Sequence, residues 1–123
     1  MVAMNYTFAP AEYLIPADLK RSTIRKRNPE KEYQIERIGT LQHYWHQRTP
    51  ECKLLAVRDL KQLTVIERPI IEFIENAPIT MVYCEGFGHD RHAMLAFFLD
   101  HYQDRVNEEG LFYMTEWHPG VRI

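Results

Sequence analysis

Lys20 and Thr23 stand three residues apart in the run Lys20-Arg21-Ser22-Thr23-Ile24-Arg25. A lysine acts as a general base when burial or a nearby cation lowers its pKa. A hydroxyl beside such a base can be activated as a nucleophile. The other reading of the same run is a basic edge segment on the surface. Glu85-Gly86-Phe87-Gly88 is the second run of interest. Two glycines in three residues let a backbone approach a ligand closely, or simply make a turn. A carboxylate on such a turn is well placed to act in a pocket. The run is neither a dinucleotide fingerprint nor a phosphate loop, because the further glycines and the Gly-Lys-Ser/Thr are missing.

Metal chemistry has weaker support. His43-x-x-His46 lies in a stretch of strand period, where positions i and i+3 point to opposite faces. His89 and His92 can meet on a first helical turn, but no third ligand follows at metal-site spacing. No metal and no cofactor are expected.

These groups need elements to hold them. Residues 11–15 form a short apolar-rich stretch between Pro10 and Pro16. Asp18 can cap one helical turn running to Arg21. Residues 23–25 read as a short strand, and Asn28-Pro29 as a turn. Leu41, His43 and Trp45 alternate with Gln42, Tyr44 and His46, which is strand period. Residues 52–57, 60–66 and 70–74 read as three further short strands, with Asp59 as a bend. Asp90 is a good N-cap for a helix over 90–103, with Met94, Phe97, Phe98 and Tyr102 on one face. Gly110 precedes a last strand over 111–117. The aromatics of this helix and strand read as core rather than as a stacking platform.

At 123 residues the chain is long enough for one domain and needs no disulfide or metal to fold. Positions 1–14 read as an N-terminal lead-in segment and 15–123 as the single domain. A net charge of -2, with 46% hydrophobic residues, excludes a disordered tail and a strongly basic histone-like protein. Residues 20–37 nevertheless carry seven basic and three acidic side chains, a weak pointer to an anionic ligand. No apolar run approaches the roughly 20 residues of a membrane span. No signal-peptide pattern opens the chain. Cys52 and Cys84 are expected as free thiols in a reducing cytosol, hence a cytoplasmic protein.

The order of these motifs is itself informative. Lys20-x-x-Thr23-Ile24-Arg25 is followed by a strand ending in Tyr44-x-x-x-Arg48-Thr49-x-x-Cys52. Glu85-Gly86-Phe87, the helix with Phe97-Phe98 and Tyr102, and the closing strand at Trp117 come after. This order resembles the ASCH domain family, particularly versions found in bacteria and phages, and the resemblance covers about residues 15–117. It implies an α+β, mainly β fold. The form would be a PUA-like mixed-strand barrel of about five or six short strands with flanking helices. It further implies a basic cleft near the Thr23-Ile24-Arg25 strand that binds RNA or a modified nucleoside.

One branch of the family consists of small amidohydrolases that remove the acetyl group from N4-acetylcytidine with a lysine, a threonine and a glutamate. The resemblance carries these roles to Lys20, Thr23 and Glu85. Lys20 would take a proton from Thr23, Thr23 would attack the amide carbonyl, and Glu85 would pass a proton to the leaving amine. Arg25, Tyr44, Arg48 and Thr49 are the implied ligand-binding set. The arginines would hold a phosphate or base edge, and Tyr44 or Trp45 would stack on a base. The loop before the helix is slightly longer than in the family, and Asp18-Leu19 stands where a glycine is common. Binding module, amidohydrolase or nuclease, and protein-interaction domain are the three readings that one fold can host. The net negative charge favours a single nucleoside or short strand over long nucleic acid.

Overall fold

A computed structural model describes residues 1–120, so the last three positions of the expected domain lie outside the described residues. The fold is α+β. Five strands, β1 (Val2–Tyr6), β2 (Ser22–Lys26), β3 (Thr40–Trp45), β4 (Lys53–Ile66) and β5 (Phe112–Trp117), form one mixed sheet in the order β1-β3-β4-β5-β2. β1 runs parallel to β3, and every other pair is antiparallel. Helices α1 (Ala11–Leu14), α2 (Pro29–Ile38), α3 (Ile70–Asn76), α4 (Ile79–Val82) and α5 (Arg91–Tyr102) flank it.

Two apolar clusters hold the layers together. Val2, Met4, Tyr6, Ile15, Ile35 and Leu41 belong to the first. Ile24, Ile70, Ile74, Val82, Met94 and Phe98 belong to the second. β5 alternates between them, with Tyr113 and Trp117 in the first and Phe112 and Met114 in the second. A strand covered on both faces reads as a continuous apolar run, as 111–114 does.

Several expectations hold. Asp90 caps α5, its side chain accepting from the Ala93 N–H at 2.9 Å. β2, β3 and β5 lie where the strand periods put them. The expected strands at 52–57 and 60–66 differ: apart from Cys52, which precedes it, their residues belong to the single long strand β4. Asp59 continues the ladder opposite Thr40, and the register shifts lie elsewhere: at Leu55, between Ala56 opposite His43 and Leu54 opposite Tyr44, and at Lys61, between Leu60 and Gln62. The expected strand at 70–74 is helix α3. Ile70 and Ile74 are both fully buried, and their spacing of four is helical period, hidden by the β-branched composition.

Asn28-Pro29 is a helix start rather than only a turn. The Asn28 side chain accepts from the Lys31 N–H, and Pro29 takes the first helical position, where its missing N–H costs nothing. The lead-in residues 2–6 belong to the sheet as β1. Among the described residues, backbone pairing leaves β1 and β2 as the two open edges, so strand hydrogen bonds do not close a barrel. Side chains meet β1's open edge instead: Lys31 Nζ donates to Ala3 O, and Arg25 Nη2 donates to Asn5 O at 2.6 Å.

Candidate functional site

The outward N–H groups of β2 need acceptors that no neighbouring strand supplies. The turn Tyr83–Phe87 provides one for Ile24, whose N–H donates to Oε1 of Glu85 at 3.0 Å, and its Cys84 O also accepts from the N–H of Arg21, just before β2, at 2.9 Å. The Ser22 hydroxyl donates to the other carboxylate oxygen, Oε2. Both oxygens of the buried Glu85 are thereby fixed against β2.

Gly86 lets this turn press onto Lys20. Its φ is +101°, and a Cβ there would lie 3.2 Å from Phe8 Cε2 and 3.4 Å from Lys20 Cδ. A side chain would face both backbone strain and a crowded contact. Lys20 is only 4% exposed. Its Nζ donates to Ser22 O at 2.7 Å and to the Glu85 main-chain O at 2.6 Å, and it lies 6.0 Å from the centre of the Phe8 ring.

The electrostatics follow from this burial. Desolvation pulls the Lys20 pKa from 10.5 down to about 8, with Glu85 opposing and Arg25 adding to the fall. Desolvation likewise raises the Glu85 pKa, against the pull of Lys20, the Ser22 and Ile24 hydrogen bonds, and Arg25. Each group is pushed toward its neutral form.

The loop before Lys20 is locked by an ion pair. Arg58 is 1% exposed and donates from Nε to Asp18 Oδ1 at 3.0 Å, while Gly120 N–H donates to Asp18 Oδ2 at 3.0 Å. Asp18 has φ +61° and does not cap a helical turn to Arg21. The helix of this region, α1, ends before it, and the Asp18 carboxylate is spent on Arg58 and Gly120.

A cleft of about 310 Å³ opens on this arrangement, and Lys20, Thr23, Arg25 and Glu85 all line it. Its walls are aromatic. Phe8, Phe87 and Phe97 pack with ring centres 5.1–5.5 Å apart, and Tyr6, Phe98 and Tyr102 are the other rings of the lining. Phe98 is core as expected, while Phe97 and Tyr102 are half-buried and share in this wall. The Arg25 guanidinium lies 5.0 Å from the centre of the Tyr6 ring.

Behind the cleft Tyr6 Oη and His43 Nδ1 are 2.8 Å apart, and the His43 ring meets Trp117 at 4.3 Å. Burial, with Arg25, Arg58 and Lys20, holds the His43 pKa down at about 3, so the imidazole is neutral.

Four of the seven expected site residues therefore share one cleft. Among the described residues Thr23 makes no hydrogen bond to Lys20 or Glu85; Ser22 is the hydroxyl that reaches the carboxylate. Tyr44, Arg48 and Thr49 do not line this cleft. Tyr44 is half-buried on β3. Arg48, at φ +69°, and Thr49 lie in the turn after β3, where the Thr49 hydroxyl donates to His46 O at 2.7 Å. Sequence reasoning missed Ser22, Tyr6, Phe8 and the Asp18–Arg58 pair; the two glycines after Glu85 were the one signal that pointed to a close approach.

Cys52 and Cys84 are unpaired. Among the described residues no three His, Cys, Asp or Glu side chains gather as they would around a metal ion, and no helix is long and apolar enough to cross a membrane. Comparison with family models, with curated proteins and with solved structures gives no match for this chain.

Proposed function

We propose that the aromatic-walled cleft binds a single modified nucleoside or the base of a short RNA strand, in a domain of ASCH type. The observation that carries this reading is the convergence of Lys20, Thr23, Arg25 and Glu85 on one cleft with six aromatic rings. At about 310 Å³ the space suits one planar heterocycle rather than a polymer. Rings supply stacking, the Arg25 guanidinium supplies donors for a base edge or a phosphate, and the buried Lys20 and Glu85 supply opposite hydrogen-bonding characters. A PUA-like barrel fits the open sheet if Arg25, reaching from β2 to Asn5 O of β1, stands where strand pairing would close it.

A second reading, amide hydrolysis of N4-acetylcytidine, is favoured by the lowered Lys20 pKa and the raised Glu85 pKa in the same cleft. In that reaction neutral Lys20 takes the Thr23 proton and the Thr23 oxygen bonds to the acetyl carbon. The C–N bond breaks as Glu85 protonates the departing N4 amine. Water then hydrolyses the acetyl-threonine ester, releasing acetate and restoring the hydroxyl.

Calorimetric titration with cytidine and N4-acetylcytidine tests the binding reading. Expected is saturable binding of at least one nucleoside that Arg25→Ala weakens about tenfold. No heat at millimolar ligand removes the reading. Chromatography of the same mixtures tests hydrolysis: cytidine should appear with the wild type and not with Lys20→Ala or Thr23→Val.

A further inference from the structure

A second, larger cleft of about 690 Å³ lies on the other side of the bridge that Arg21 and Cys84 make. Lys20, Thr23 and Glu85 line the first cleft; Arg21, Ser22 and Cys84 line this one. Phe73, Met81 and Met114 give it an apolar surface. Arg21, Lys61 and Arg68 bring three cations to it, against the single carboxylate of Glu116.

The chain places those cations by particular means. Lys61 is the extra residue where β4 bulges against β5, between Leu60 opposite Trp117 and Gln62 opposite Glu116. A bulge inserts one residue out of register and redirects its side chain, a device that recurs beside functional sites. Lys61 is exposed on this rim, and no ion pair among the described residues occupies it. Arg68 has only a loose contact with Glu72, at 3.9 Å between two exposed groups. Arg21 spends its Nε on Asp18 O at 2.7 Å and keeps its remaining donors. The cations that line one cleft repel each other until an anion joins them, and here they border an apolar floor of half-buried Phe73 and Met81 and buried Met114.

We propose that this cleft is a second ligand site, which takes a small amphiphilic anion. The apolar body of the ligand rests on Phe73, Met81 and Met114, and its anionic group sits among Arg21, Lys61 and Arg68. The site is separate from the nucleoside cleft and does not depend on that cleft's function.

The test uses 1-naphthyl phosphate as probe, with 1-naphthol and inorganic phosphate as its two halves, followed by calorimetry. Expected is saturable binding of 1-naphthyl phosphate, with each half at least about tenfold weaker, since neither body nor charge suffices alone. Lys61→Gln with Arg68→Gln should weaken 1-naphthyl phosphate about tenfold or more. Both residues are exposed, so an unchanged melting temperature shows that the fold is kept. Arg25→Gln, in the smaller cleft, should leave this binding unchanged, and nucleoside binding should survive the Lys61/Arg68 double change. The proposal is overturned by no binding at millimolar probe, by equal binding of naphthol, or by sensitivity to Arg25→Gln with indifference to the Lys61/Arg68 pair.

Discussion

Lys20→Met replaces a buried ammonium by an apolar chain of similar length, and the change should show in how stability varies with pH. In the folded protein the Lys20 pKa is about 8, against 10.5 in its ordinary setting. Below pH 8 both folded and unfolded chains carry the proton, and the fold bears the full cost of a buried charge. Between pH 8 and 10.5 the folded chain sheds the proton while the unfolded chain keeps it. The unfolded state then binds more protons, so stability rises with pH. At 1.36 kcal/mol per pH unit the full relief is about 3 kcal/mol, of which about 2.5 has arrived by pH 10. The assay is urea unfolding of wild type and Lys20→Met at pH 7, 8, 9 and 10, read by tryptophan fluorescence. Tyrosine titration at high pH affects both proteins and cancels in the difference. Wild type should gain about 2–3 kcal/mol on the variant over that range. A difference constant within about 0.5 kcal/mol, or one moving the other way, would refute the assignment of Lys20 as a desolvated amine.

The acid side should be governed by His43. Its folded pKa of about 3 against 6.5 means that stability present above pH 6.5 is lost as pH falls, by about 3 kcal/mol at pH 4; urea titrations should show His43→Gln without that component. Gly86→Ala should cost about 1–3 kcal/mol in thermal unfolding, because φ +101° and the 3.2 Å approach to Phe8 both oppose a side chain. Glu85→Gln resembles the protonated acid that burial favours, so its melting temperature at pH 7 should equal or exceed wild type. Glu85→Ala leaves the Ile24 N–H and the Ser22 hydroxyl without their acceptor and should lose about 1–3 kcal/mol. Phe98→Ala, a truncation in the second apolar cluster, should cost about 3–5 kcal/mol by denaturant titration.

Period and punctuation carried much of this architecture. The Asp90 cap, the alternation at 41–46 and the run before Trp117 were legible because each is a local signal. Helix α2 was not, because among its residues only Ile35 and Glu32 are buried and no apolar stripe marks it. Helix α3 was hidden because a short apolar run looks alike at strand and helix period. At the site, the run from Lys20 to Arg25 and the Glu85-Gly86 turn could be singled out by residue type. Their meeting could not, since it depends on β2 lying at the end of the strand order with an unpaired backbone. Tyr44 lies on β3 and Arg48 and Thr49 follow it, so none of the three reaches the cleft, and the Asp18–Arg58 pair joins positions forty residues apart in the chain.

The open ends of the sheet have a consequence for how copies of this chain behave toward one another. An unpaired strand border is a template on which a second molecule can add its own strand, the first step of aggregation. On β1 the two outward carbonyls, of Ala3 and Asn5, are already taken by Lys31 and Arg25. On β2 the Glu85 carboxylate takes the N–H of Ile24 and Lys20 Nζ takes the Ser22 carbonyl, while the Cys84 carbonyl holds the N–H of Arg21 just before the strand. An incoming strand would have to strip two cations from one border, or lift the turn that carries the buried Glu85 from the other. Arg25 and Glu85, which line the smaller cleft, thus also keep the sheet from growing, and loosening either should expose the chain to self-association.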